Sequence, residues 1–227
     1  VEIRTGVSLG RDTTLAKLGD EYDAVFLGIG LGIAQVRPMK LRAPGEDVEG
    51  VIPAIDYLKT VAAGQEPPPR KHVVVVGGGN SAIDAARTAV RLGAEEVSIL
   101  YRRTRAEMPA WEEEIRAAED EGVKLTYLAA PQEILSADGQ VVAVRCIQME
   151  LGEPDSSGRR RPVPVPGSEY EIEVDQIIPA IGQTPDLSAL EDAEGLDFSR
   201  WGTVEVDPVS YATGREGVFA GGDLQTG

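Results

Sequence analysis

The sequence predicts an α/β fold organised around one strand–turn–helix–strand unit, and three observations predict it. Residues 73–76 are four consecutive valines, a β-branched run bounded by glycines that reads as a strand buried on both faces. Gly77 to Gly79 follow, and from Ala82 the pattern turns helical, with Ile83, Ala86, Val90 and Ala94 near one face. Gly93 then ends the helix, and Val97 to Tyr101 read as a second strand.

Strand, tight turn, helix and strand make half of a Rossmann-like nucleotide site. Gly77, Gly79 and Ala82 match G-x-G-x-x-A directly after a strand and at the opening of a helix. Gly77 permits the turn, Gly79 lets the backbone approach a pyrophosphate, and Ala82 lets the helix pack close to the sheet. Around Asn80 and Ser81 the free N–H groups of the helix start face the phosphates, helped by the helix dipole. The end of the second strand selects the nucleotide. A site for the dinucleotide without a 2′-phosphate places Asp or Glu there. Here stand Tyr101, Arg102 and Arg103, with Arg105 just beyond. Guanidinium groups bind a 2′-phosphate that a carboxylate would repel, so the expected ligand is NADP(H), with Arg102 leaving the strand first and Arg103 either on the phosphate or against the adenine.

Composition bounds the rest. The chain has 227 residues and a net charge of −16, which argues against nucleic acid and against anionic membrane surfaces. Its single cysteine, Cys146, excludes a disulfide framework and a cysteine metal site and reads as a small buried hydrophobe. A reducing, cytoplasmic compartment fits. The start at Val1 without Met, and the end at Gly227 just after a glycine pair and an Asp, read as a fragment.

Along the chain, residues 1–20 read as a strand and a loop, and Asp23 to Gly30 as a buried strand running into Gly28 and Gly30. Residues 31–50 carry turn signals, and Val51 to Ala63 a short helix with Ile52, Ile55 and Leu58 on one side. Pro67 to Pro69 form a stiff linker, where a domain boundary is expected. Ala110 to Gly122 is a helix with Trp111, Ile115 and Ala118 inward. Val123 to Leu128 is the next strand, and β-structure around Ile134 to Met149 turns at 137–140. Residues 151–169 are polar and proline-rich, a long loop that either meets a partner or caps the nucleotide unit. Glu171 to Ile181 returns as a strand, and Val204 to Val206 and Gly217 to Asp223 close the chain with two more. The predicted organisation is an NADP(H)-binding domain over 67–184, inserted into a domain formed by 1–66 and 185–227.

At this point the residues carry a resemblance. The run from Val73 to Arg103, Glu107 to Ala110, the loop at 151–169, Ile178 to Asp186 and Gly217 to Asp223 together resemble the small (beta) subunit of NADPH-dependent glutamate synthase. They are also similar to the flavin subunits of ferredoxin:NADP oxidoreductases and to the flavin region of dihydropyrimidine dehydrogenase. The resemblance implies a Rossmann-like NADP-binding domain inserted into an FAD-binding Rossmann-like domain, here incomplete, of the pyridine nucleotide-disulfide oxidoreductase type. It implies Gly182 near nicotinamide and flavin, Gly222 at FAD, Asp223 accepting from a ribityl hydroxyl, and Gly28 and Gly30 in a further glycine turn. The family's first glycine-rich FAD turn and its iron–sulfur segment are absent from these residues and are expected upstream of Val1. The expected partner is a glutamate synthase large subunit or another electron-accepting subunit.

The implied activity is electron input: NADPH passes a hydride to FAD, and electrons move on to iron–sulfur centres. No general base is needed, and the only histidine, His72, stands at the start of the first strand, away from the nucleotide end. A self-contained dehydrogenase with a Tyr-x-x-x-Lys pair is disfavoured, since none of the six tyrosines has a Lys four residues on. A dithiol reductase needs a Cys-x-x-Cys pair, which one cysteine cannot supply. The remaining alternative is a non-catalytic NADP-binding or subunit-docking module.

Overall fold

The structure, a computed structural model, describes residues 1–31, 37–65, 67–68, 70–154, 158–190 and 193–226. Contacts divide the chain into two compact units, the first formed by 1–37 with 183–227 and the second by 38–182. The first boundary therefore falls well before the proline run. Residues from Leu41 to Tyr57 pack on the second unit through Leu41, Val48, Val51, Ala54 and Tyr57, long-range contacts that no local turn signal announces. Glu66 and Pro69 of the expected linker lie outside the described residues.

The first unit holds α1 (Leu15–Glu21) and β1 (Val25–Leu27). The two-residue strands β2 (Arg37–Pro38) and β11 (Gln183–Thr184) lie where the chain leaves this unit and returns to it. After the return come β12 (Val218–Ala220) and the short α5 (Asp223–Thr226). β1 and β12 pair in parallel over three residues, above a cluster that includes Leu15, Leu27, Leu190, Val218 and Leu224. Two expectations fail here. Residues 1–8 form no strand, and Val204 makes only an isolated bridge to Phe198. The predicted loop after them contains α1, whose Thr14 side chain caps the helix by accepting from Lys17 N–H.

The second unit opens with α2 (Ala54–Ala62) and is built on β3 (His72–Val76), α3 (Asn80–Arg91), β4 (Glu96–Tyr101), α4 (Glu112–Asp120), β5 (Lys124–Tyr127) and β10 (Gln176–Pro179). Its parallel sheet runs β10-β3-β4-β5. The valine run serves both faces. Val73 and Val75 pack against α2, α3 and α4, whereas Val74 and Val76 pack against Ile134, Val144, Cys146 and Ile177. This double burial is what a run without alternation encodes.

The far face is covered by an antiparallel sheet of β6 (Ala129–Ala137), β7 (Gln140–Pro154), β8 (Arg160–Pro164) and β9 (Tyr170–Glu173). The expected long loop at 151–169 is thus largely a hairpin: β7 runs on to Pro154, and β8 pairs back on it with Met149 opposite Pro164. Prolines misled the reading, because an edge strand tolerates them on its open side. Residues 155–157 lie outside the described residues. Burial pushes the Cys146 thiol up to about 12, in keeping with an inert packing residue. Trp111 does not face inward as expected; it precedes α4 and is 70% exposed. Among the described residues no helix is long and apolar enough to cross a membrane.

Candidate dinucleotide site

In the second unit β3 is joined through α3 to β4, its parallel neighbour on one side, and β10 lies on the other side of β3. The crevice at the carboxyl end of β3 is therefore a topological switch point, where open α/β sheets take their ligands.

The turn there is built from three glycines with three different jobs. Gly77 has φ +149°, and a Cβ on it would run into the Ala180 carbonyl oxygen at the end of β10. Gly78 lies on the ring of Tyr101, where a Cβ would come within 2.5 Å of ring carbons. Gly79 has extended backbone, and a Cβ there would meet nothing within 4 Å. Only Gly79 borders open space, so Gly77 and Gly78 shape the turn from within while Gly79 leaves room beside it. Sequence reasoning passed over Gly78, since its need comes from an aromatic ring 23 positions along the chain.

Residues 107–111 brace the turn. Ala110 N–H donates to the Gly78 carbonyl at 3.1 Å, and Trp111 N–H donates to the Asn80 side-chain oxygen at 3.1 Å. The Tyr101 hydroxyl donates to the Glu107 carbonyl at 2.7 Å. Asn80 is thus held by protein, and its side chain supports the turn. Ser81 is exposed beside it, and Ala82 is fully buried under α3. The first helical hydrogen bonds come from Ala82 and Ile83 to the Gly79 carbonyl. Among the described residues the N–H groups of Gly78, Gly79, Asn80 and Ser81 have no protein acceptor, leaving a cluster of donors at the positive end of a 12-residue helix.

The three arginines after β4 differ sharply. Arg102 is exposed and, among the described residues, forms no ion pair or hydrogen bond. Arg103 is only 4% exposed, and its Nε donates to the Arg160 carbonyl at 2.7 Å. Arg160 in turn donates to the carbonyls of Leu151 and Gly152, so Arg103 ties the end of β4 to the β7–β8 hairpin. Arg105 is held by Glu119 at 2.6 Å and Glu112 at 3.1 Å. Those bonds push the Arg105 guanidinium further up and hold the Glu112 carboxyl below its ordinary value. Among the described residues the one free guanidinium of these three is therefore that of Arg102.

Gly182 has φ +115° and its carbonyl accepts from Met39 N–H at 3.0 Å. His72 lies at the opposite, amino end of β3, where Asp175 accepts from the N–H groups of Lys71 and His72, both at 2.9 Å.

In the first unit the carboxyl ends of β1 and β12 lie side by side, with Gly221 N–H donating to the Leu27 carbonyl. Gly28 and Gly221 flank the Phe26 ring. Gly30 at φ +63° and Gly222 at φ +70° both border open space. Asp223 is exposed and, among the described residues, has no partner. A free carboxylate beside an open positive-φ glycine fits the hydroxyls of a ribityl chain. Among the described residues this unit offers no glycine turn leading into a helix of α3's length that would hold a second pyrophosphate.

The sequence profile described as pyridine nucleotide-disulphide oxidoreductase matches residues 4–227. The beta subunit of the NADP(+)-dependent formate dehydrogenase of Moorella thermoacetica is 45% identical over 230 residues, covering all of this chain and 32% of that protein. The beta subunit of the NADPH-Fe(3+) oxidoreductase of Geobacter sulfurreducens is 43% identical over 249 residues, again with all of this chain and 37% of the other. The glutamate synthase [NADPH] small chain of Azospirillum brasilense is 39% identical, covering 96% of this chain and 47% of its own length. The chain spans about a third to a half of these relatives. Among solved structures, Mycobacterium tuberculosis FprA in complex with NADPH superposes with a TM-score of 0.76 at 21% identity, over 97% of this chain and 62% of that one, a likeness of fold.

Proposed function

The chain belongs to the pyridine nucleotide-disulphide oxidoreductase family, and from that premise we propose that it is the NADPH-oxidising, electron-input part of a flavoprotein subunit. The second unit binds NADPH at the carboxyl end of β3. The pyrophosphate rests on the N–H groups of Gly78 to Ser81, Gly79 leaves room for it, and α3 adds its dipole. Arg102 holds the 2′-phosphate. Arg103 acts as a buried brace and Arg105 as the partner of two glutamates, so neither serves as a phosphate ligand.

Gly222 and Asp223 of the first unit would hold part of FAD, which supplies, when bound, an acceptor able to take a hydride and release electrons one at a time. Hydride transfer from NADPH requires no side chain to move a proton. The relatives are described as a formate dehydrogenase beta subunit, an Fe(3+) oxidoreductase beta subunit and a glutamate synthase small chain. That range supports an electron-accepting partner subunit, with a glutamate synthase large subunit as one candidate; a cytoplasmic setting belongs to the same proposal.

The observation that carries the reading is the Arg102 guanidinium at the end of β4 and the four N–H groups at the β3 turn, all without a protein partner among the described residues. Calorimetric titration tests it. The wild-type chain is expected to prefer NADPH to NADH, and Arg102→Glu is expected to lower NADPH affinity by about a hundredfold with little change for NADH. Equal small effects on both dinucleotides would reject the assignment. Flavin absorbance of the intact subunit, with the residues expected upstream of Val1, distinguishes electron input from a docking module that carries no flavin.

A further inference from the structure

Two large apolar side chains stand exposed at the carboxyl end of β10: Met39, 45% exposed, and Ile181, 38% exposed. Most of the turn beside them is polar backbone and charge, so their placement asks for an apolar occupant. The chain presents Met39 deliberately. Its N–H is fixed on the Gly182 carbonyl at 3.0 Å. The segment that follows is pinned by Lys40 to Asp47 at 2.7 Å and by Leu41 and Val48 in the core. Its sulfur lies 3.2 Å from where a Cβ of Gly182 would stand. Gly182 therefore clears the seat in which the thioether rests. Gly77 abuts the Ala180 carbonyl, so this apolar pair adjoins the glycine turn on the side away from Arg102.

We propose that Met39, seated on Gly182 beside Ile181, is the shelf on which the nicotinamide end of the dinucleotide rests. The proposal depends on the NADPH reading above and adds a residue to it. With the pyrophosphate at the β3 turn and the 2′-phosphate at the end of β4, the other half of the ligand extends towards β10. A flexible, polarisable thioether suits the face or edge of an uncharged dihydropyridine ring. Substitution at Met39 leaves its backbone bond to Gly182 available, so the side chain can be tested by itself.

The test titrates the full chain with NADPH and with 2′,5′-ADP, which carries the adenosine and the 2′-phosphate but no nicotinamide. Met39→Ala is expected to weaken NADPH about two- to tenfold and to leave 2′,5′-ADP unchanged, with Met39→Leu retaining most of the NADPH affinity. Parallel weakening of both ligands would reduce Met39 to a support for the turn and overturn the proposal, as would NADPH binding that no variant alters. Failure of the wild-type chain to bind 2′,5′-ADP would strike the 2′-phosphate assignment, and that of the adjoining 5′-phosphate, instead. Unfolding midpoints of both variants, matched to wild type, exclude loss of fold as the cause.

Discussion

The second unit carries four parallel strands with packed clusters on both faces, whereas the first carries two paired strands over a single cluster. Of the thirteen large apolar side chains exposed among the described residues, nine belong to the first unit, although it is the smaller one. Phe26, in the middle of β1, is 66% exposed. Free energy from apolar burial scales with area removed from water, so the two units differ in what holds them. The difference teaches that the proposed pyridine nucleotide site can be self-contained within one unit. Its turn, its donors and its cation all come from residues 77–111 of one sheet. Gly222 and Asp223, the proposed flavin-side residues, instead follow a two-stranded pair.

The largest expected effect comes from breaking the stronger partner. Gly77→Val puts a branched side chain at φ +149° against the Ala180 carbonyl. It should cost the second unit about 2–4 kcal/mol, read as a lower denaturant midpoint with NADPH binding lost. An unaltered midpoint would show that the turn is less tightly determined than it looks. Hydrogen exchange then measures the contrast itself. Amides of β3 and β4 should exchange about a hundredfold more slowly than those of β1 and β12, and equal protection would dissolve the distinction between the units.

The smallest effect is the most discriminating. Arg103→Gln removes a buried charged donor from the Arg160 carbonyl and should cost about 2 kcal/mol of stability while keeping most of the preference for NADPH over NADH. If that preference instead falls as far as in Arg102→Glu, Arg103 is a phosphate ligand after all.

Much of this was legible because the signals were local. Four valines between glycines, a helix opening at Ala82 and basic residues after the next strand occupy one continuous stretch. What escaped depended on residues distant in sequence. Nothing near Arg103 announces that its Nε will meet the carbonyl of Arg160, and two adjacent arginines look alike until one is buried. Gly78 reads as a spacer until Tyr101 packs beneath it. Met39 sits in a stretch with turn residues and little periodicity, and its relation to Gly182 joins the two ends of the second unit. The pairing of β7 with β8 was hidden by the prolines in the outer strand.

Those prolines have their own consequence. Val165 N–H donates inward to the Gln148 carbonyl, so strand alternation turns the nitrogens of Pro164 and Pro162 outward. Neither nitrogen carries a hydrogen. The outer rim of β8 therefore lacks donors at the positions a stray strand would engage first. Such a rim resists sheet extension and the fibrous self-assembly that follows from it. The chain can keep the paired β7 and β8 beside its proposed nucleotide site without making them a nucleus for aggregation.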